Sequence, residues 1–363
     1  MSKIIDNQYE PDFVTPPGET LEETIVAIGM SQAELAKRMG RPTKTINEII
    51  QAKTAITPDT ALQLERVLGV PASFWTNRER NYREALARLE EQQRLQQHLD
   101  WMKQFPLRAM IRNGWIAERK PAVEQMMELL TFFGIASPVE WETLWHNPQV
   151  AYRRSQLFES QLGSISAWLR KGELDAQRLV CAPYDAHGFK ALMQHIRGLT
   201  RLQPTHFLAE LPRLCAQVGV AVVYTPTLPK APISGATRWL TPNKALVQLS
   251  FRYRCDDTFW FSFFHEAGHI LKHGKKEVFI EGVNKDEMER EADEFAQELL
   301  IPHQQYQQLL GLLPLTPAKI EHFADNIGIA AGIVVGRLQK AARLPHNAMN
   351  NLKQNVDESM LVQ

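Results

Sequence analysis

The spacing of apolar side chains divides this chain into short helices, a polar connecting helix, a helical middle, and a last stretch where helices enclose a few strands. After an extended lead-in ending at Thr15-Pro16-Pro17-Gly18, apolar positions predict helices over Leu21–Ile28, Ser31–Met39, Pro42–Ile50 and from Thr57-Pro58 to Leu68. Ser31 stands three residues before Glu34, as in a capping box, and Pro58 follows Thr57 as a first-turn proline follows its cap. In the third helix Ile46, Ile49 and Ile50 face inward, which leaves Thr43, Lys44, Asn47 and Gln51 outward. Short helices joined by tight turns at Gly40 and Ala52 are the ingredients of a helix-turn-helix unit.

Asn77 to Phe105 is polar and helix-prone, but its apolar spacing slips at Gln92 and Gln93. It reads as a connecting helix at a dimer seam rather than a coiled coil. Residues 106–200 keep helical spacing over Val123–Phe133 and Gln156–Leu169, and Trp115, Trp141, Trp145 and Trp168 read as packing residues. From Thr205 the pattern changes: a helix to about Val218 precedes strands over Val220–Thr225, Gly235–Leu240 and Lys244–Ser250. Two helices follow, one through Phe259–His273 and one over Lys285–Leu300, the second opened by a capping box from Asn284 to Glu287 and closed by Pro302. Thr316–Arg343 reads as a helical closure, and the polar residues from His346 as a frayed tail. The expected fold is mainly α with a small β-sheet. It comprises an all-α head (18–76), a connecting helix (77–105), a helical middle region (106–200), an α+β body (201–345) and a polar tail (346–363).

Candidate chemistry concentrates in the two helices of the body. His265 and His269 lie four residues apart on one face with Phe261, and Glu266 projects beside them. His-Glu-x-x-His on a helix lets two imidazoles grip one zinc ion while the glutamate reaches the water that will attack. On the second helix Glu289 and Asp293 flank the apolar stripe of Met288, Ala292, Phe295 and Leu299. Two carboxylates on a largely apolar face need a cation or strong donors. Glu289 is the expected third ligand, and Asp293 the group that orients a ligand histidine. The plainer alternatives are a core helix with two hydrogen-bonded histidines, and two carboxylates solvated at a helix flank. His273 stands two turns from His265, about 12 Å of rise, too far for the same ion, and reads as a surface or helix-end residue. Lys272 and Lys275 occupy the positions where a longer metzincin pattern needs glycine and histidine.

HEAGH followed by EREADEFAQELLIP (Glu289 to Pro302) resembles the ImmA/IrrE family of zinc metallopeptidases, over roughly residues 200 to 345. The resemblance implies a zincin-like body with a thermolysin-like site: Zn2+ on His265, His269 and Glu289, and Glu266 as general base. A strand beside such a cleft could hold an extended peptide. Gly235–Leu240 is the candidate edge, with Arg238 as a substrate or oxyanion contact.

The stretch GMSQAELAKRMGRPTKTINEIIQAKTAITPDTALQLERVLGVPASFW resembles Xre-type DNA-binding domains, HigA-type antitoxins among them, over roughly residues 18 to 80. Local charge agrees, with Lys37, Arg38, Arg41, Lys44 and Lys53 set against Glu34 and Glu48. Thr43, Lys44, Asn47 and Gln51 are then suited to base edges of double-stranded DNA, and Gln32 and Lys53 to phosphates. The alternative is a solvated helix in a protein-interaction domain.

Whole-chain composition changes little. Lysine plus arginine equals aspartate plus glutamate, 41 each, so only a local surface can attract DNA. Three cysteines without a CxxC pair argue against a disulfide scaffold and fit a reducing compartment, with Cys255 an ordinary thiol or a redox switch. Absence of a signal peptide and of any apolar run near the ~20 residues of a membrane span points to the cytoplasm, with no membrane partner. The expectation is a cytoplasmic, homodimeric DNA-binding regulator whose zinc-peptidase body hydrolyses a regulatory protein partner. Its rival is a HigA-like antitoxin and autorepressor that binds a toxin and its own promoter, with the peptidase fold used for sensing or partner binding.

Overall fold

A computed structural model of the chain describes residues 15–145, 161–275, 278–280 and 287–361. The expected helix starts at Gln156 and Lys285, and the expected capping residue Asn284, lie outside the described residues. The chain divides into two compact units, Met1–His98 and Leu99–Gln363.

The first unit contains α1 (Pro17–Ala27), α2 (Gln32–Met39), α3 (Thr43–Ile50), α4 (Pro58–Leu68) and α5 (Ala72–Gln96). The Ser31 hydroxyl accepts the Glu34 N–H at 3.2 Å and that of Thr57 accepts the Thr60 N–H at 3.3 Å, so both predicted caps form. Leu21, Ile25, Leu35, Ile46, Ile49, Leu64 and Trp75 share one core, with Ile50 only partly buried against it. Gly18 permits the crossing of α1 and α3: a Cβ there would stand 2.3 Å from the Ile49 carbonyl oxygen. Helix α1 therefore starts at Pro17, inside the expected lead-in.

The second unit begins with a 3-10 turn (Leu99–Gln104), α6 (Leu107–Arg112), α7 (Ala122–Phe133) and α8 (Pro138–Trp145). Trp101, Phe105, Phe133 and Trp141 pack edge to face, as packing residues should. Then come α9 (Leu162–Arg178), α10 (Ala186–Leu199), α11 (Pro204–Ala216), β1 (Val220–Tyr224), β2 (Gly235–Thr241) and β3 (Lys244–Leu249). They are followed by α12 (Asp256–Lys272), β4 (Phe279–Ile280), α13 (Glu287–Leu300), α14 (His303–Leu310), α15 (Pro317–Ile327) and α16 (Ala331–Lys340). The fold is thus mainly helical with one small sheet, in the order β1-β3-β2-β4. β1 and β3 run parallel, and β2 is antiparallel to both of its neighbours.

Strand alternation gives the sheet two apolar faces. Val220, Val222, Ala245, Val247 and Leu249 join the main core with residues of α10, α11 and α12. Ala221, Val223 and Leu246 point the other way, toward Ala176 of α9. Trp168 of α9 donates its indole N–H to the Thr225 carbonyl at 3.2 Å, and the Gln248 amide donates to the Trp168 carbonyl at 2.7 Å. The segment expected to form a separate middle region therefore supplies the helix that covers the sheet's second face. A sheet apolar on both faces requires such a cover.

The C-terminal stretch is not a frayed tail. Lys353 donates to Asp257 and to the Gln339 side-chain oxygen, both at 2.8 Å, and Gln339 in turn donates to the carbonyls of Pro345, His346 and Ala348. Val356 is fully buried. One lysine neutralising an acid at the start of α12 and one apolar side chain entering the core are enough to dock it. Among the described residues no helix is long and apolar enough to cross a membrane.

Asp256, beside that contact, is 1% exposed, and burial pushes its carboxyl up to about 6 from 3.8. A folded-state value above the unfolded one means this group's contribution to stability is fully present below pH 3.8 and is lost as pH rises through about 6. The charged carboxylate costs on the order of 3 kcal/mol at pH 7 and above. Asp256→Asn, which keeps the oxygen that accepts the Asp257 N–H, is expected to raise the melting temperature at pH 8. The gain should vanish toward pH 4. Melting curves across that range check it, and a pH-independent difference would contradict the assignment.

Candidate functional site

Helix α12 runs through the middle of the second unit's core. Phe259, Trp260, Phe263, Phe264 and Ala267 are at most 5% exposed, so the polar residues between them are carried inside: His265 is 2%, Glu266 0% and His269 1% exposed. Helix α13 crosses closely because small residues meet there. A Cβ on Gly268 would stand 3.2 Å from Ala292 Cα and 3.1 Å from the Phe295 ring, and Ala296 is fully buried. This crossing places Glu289 against the two imidazoles.

His265 Nε2 and His269 Nε2 lie 3.1 Å apart. Glu289 Oε2 is 3.3 Å from the first ring and Oε1 is 3.4 Å from the second. Tetrahedral ligands bound at about 2.0–2.1 Å are separated by about 3.3–3.4 Å, so the three donors fit one zinc-sized ion. The outer ring nitrogens are engaged elsewhere, which directs both Nε2 atoms inward. His265 Nδ1 is 2.9 Å from Asp293 Oδ1, and His269 Nδ1 is 2.9 Å from His273 Nδ1. His273 Nε2 is in turn 2.9 Å from Glu291 Oε2. The His269 ring also stacks on Phe279 of β4, with centroids 4.0 Å apart.

Electrostatics favour the ligand forms of these groups. Burial alone would raise the Glu289 carboxyl, but the two histidines beside it outweigh burial and hold it at about 2. Burial pushes His269 below its ordinary value, against the pull of Glu289, so its imidazole is the neutral donor a metal needs. Glu266 sits between α12 and β2. A Cβ at residue 235 would lie 2.8 Å from Glu266 Oε1, and the Thr237 hydroxyl donates to the Glu266 carbonyl at 3.3 Å. Gly235 lets the strand come this near without displacing the Glu266 side chain.

Three expectations need correction. β2 is not open along its whole length, because β4 pairs with it at Ala236 and Thr237. Arg238 does not reach the centre: strand alternation turns Thr237 toward α12 and Arg238 toward α9, where it pairs with Glu173 at 2.6 Å. His273 is the helix-end residue, capping α12, but not a surface one: its side chain is 5% exposed and braces His269. The signal for it was the third histidine of a series spaced by four. Cys255 fits the ordinary thiol: burial and the neighbouring acids push it up to about 12.

On the head, Thr43, Lys44, Asn47 and Gln51 are all exposed along α3, opposite buried Ile46 and Ile49, and Lys53 is exposed just beyond. Gln32 is half-buried, its amide 3.4 Å from Glu22. Lys44 lies 3.8 Å from Glu48 in a pair that solvent largely screens.

Residues 21–75 match the helix-turn-helix family model, and residues 216–314 match the model described as IrrE N-terminal-like domain. Virulence-associated protein I of Dichelobacter nodosus is 39% identical over 77 residues, which are 21% of this chain and 71% of that protein. The uncharacterized HTH-type transcriptional regulator YddM of Escherichia coli (strain K12) is 30% identical over 61 residues, 17% of this chain and 65% of that protein. Several solved structures resemble the head. An addiction module antidote protein of a HigA family from Coxiella burnetii is 32% identical, covering 23% of this chain and 92% of its own, with a TM-score of 0.22. Pseudomonas aeruginosa antitoxin HigA with the higBA promoter is 29% identical, covering 23% and 90%, also with a TM-score of 0.22. The chain belongs to the helix-turn-helix family of DNA-binding transcriptional regulators, and joins that head to an IrrE-like domain.

Proposed function

We propose that the IrrE-like domain is a zinc-dependent endopeptidase that cuts a regulatory protein partner, and that the head carries it, as a cytoplasmic homodimer, to operator DNA. The observation that carries this reading is the convergence of His265, His269 and Glu289 at 3.1–3.4 Å, with Glu266 buried alongside. A Zn2+ ion held by these three side chains supplies Lewis acidity toward the scissile carbonyl and the attacking water. Glu266 takes the proton from that water and returns it to the leaving amine. Asp293 and the His273–Glu291 pair hold the two ligand rings in the tautomer that presents Nε2.

The test is metal analysis of the purified protein, followed by incubation with the product of the neighbouring gene. Bound zinc and zinc-dependent fragmentation of that product are expected. A stable complex formed by metal-free protein, with no fragments, would move the chain to the antitoxin reading that the HigA-like head suggests.

On DNA, Thr43, Lys44, Asn47 and Gln51 read base edges while Gln32 and Lys53 hold phosphates. Combined Lys44→Ala and Asn47→Ala is expected to weaken operator binding by at least about tenfold, each lost base contact being worth about 1–3 kcal/mol. A dimer should protect half-sites spaced by about 34 Å or a multiple of it. Operator affinity unchanged in the double variant would exclude α3 as the reader.

A further inference from the structure

Beside the candidate centre lies a cavity of about 470 Å3, walled by α12, the end of α13, α16 and the docked C-terminal segment. It begins next to the reacting groups. Ser234 on its rim precedes Gly235, which abuts Glu266, and Phe261 on its floor stands one turn before His265, their rings 6.3 Å apart. With Phe261, the apolar lining consists of Leu300, Ile301 and Ile333.

The charge of the lining is one-sided. Arg252, Arg337, Lys340 and Lys353 face it, against the single carboxylate of Asp257, which Lys353 already neutralises at 2.8 Å. Among the described residues Arg252, Arg337 and Lys340 have no carboxylate partner. Arg252 donates to the Pro232 carbonyl at 2.5 Å, which fixes its guanidinium at the rim. Arg337 lies 4.8 Å over the Tyr306 ring, and its buried Nε has no acceptor among the described residues. Arg337 and Lys340 carry positive charge that no acid among the described residues neutralises, and an entering anion would supply that partner. Arg337 and Lys340 are one helical turn apart, so one anionic group can meet both. Gln339 and Lys353 hold the outer wall in place, so the site is built by the fold rather than by loose surface chains.

We propose that this cavity recognises a carboxylate carried on an apolar stem. Its source is either an acidic residue of a peptide lying at the candidate centre or a free small carboxylic acid. Only the first source rests on the peptidase reading.

The experiment uses the full chain with metal removed by chelation, and calorimetric titration with 4-phenylbutyrate and with its uncharged amide. The acid is expected to bind at least about tenfold tighter. Arg337→Gln combined with Lys340→Gln should abolish the preference, and Lys340→Glu alone, at an exposed position, should reduce it, with melting curves confirming that both variants fold. Equal binding of acid and amide, or a preference that survives both variants, would overturn the proposal. Competition then assigns the source. Displacement by acetyl-Ala-Leu-Glu-Leu-Ala-amide, but not by its Gln counterpart, identifies a peptide side chain. Acid binding that neither peptide displaces identifies a free acid. Because no metal or hydrolysis is involved, a failed peptidase assignment leaves this result intact.

Discussion

Glu266→Gln protein should bind zinc as the wild type does and cleave its partner more slowly by a factor of about 10²–10⁴, the usual contribution of a positioned general base. Glutamine has the shape of glutamate, so the close passage of β2 at Gly235 and the hydrogen bond from Thr237 to the backbone of residue 266 are preserved. What disappears is the capacity to accept a proton from water. Zinc content and the rate of partner cleavage, measured on the same preparation, check the prediction. Cleavage at the wild-type rate would remove Glu266 from the mechanism.

Glu289→Ala should have the second large effect, reducing zinc affinity by more than the roughly 10–100-fold expected when an outer partner is removed, as in Asp293→Ala or His273→Ala. Glu289 contributes one of three donor groups and the only negative charge among them, at 3.3 and 3.4 Å from the two rings. The helix should survive, since α13 packs through Ala292 and Ala296 rather than through residue 289. Competitive titration against a chromogenic chelator ranks the three variants. An affinity for Glu289→Ala equal to that of the outer-partner variants would mean that the carboxylate is not a ligand.

How much of this was legible in the chain depended on how far apart the interacting residues lie. Periodic segments declared themselves, and β1, β2 and β3 sit within a residue of their expected bounds. The His265–His269 pair and its Glu289 partner could be read because each lies on one helix face with a recognisable spacing. β4 could not, because two residues have no period, and without it β2 looked like an edge. Strand parity did contain the orientation of Arg238: once Thr237 faces α12, its neighbour must face α9. The contact of Trp168 with Thr225 spans 57 residues and that of Lys353 with Asp257 spans 96, and no local pattern announces either. For His273, what was missing was Glu291, eighteen residues on, which turns a helix-end imidazole into a brace.

The docked C-terminal segment also orders events during synthesis. Trp75 closes the core of the head, and that core needs nothing beyond the first compact unit. By contrast, α12 emerges from the ribosome well before Lys353 and Val356, which cover its first turn. Folding that proceeds from the N-terminus as translation advances therefore gives the nascent polypeptide its helix-turn-helix head first. The second unit, with the cluster of His265, His269 and Glu289, is completed only after the late residues are released from the exit tunnel.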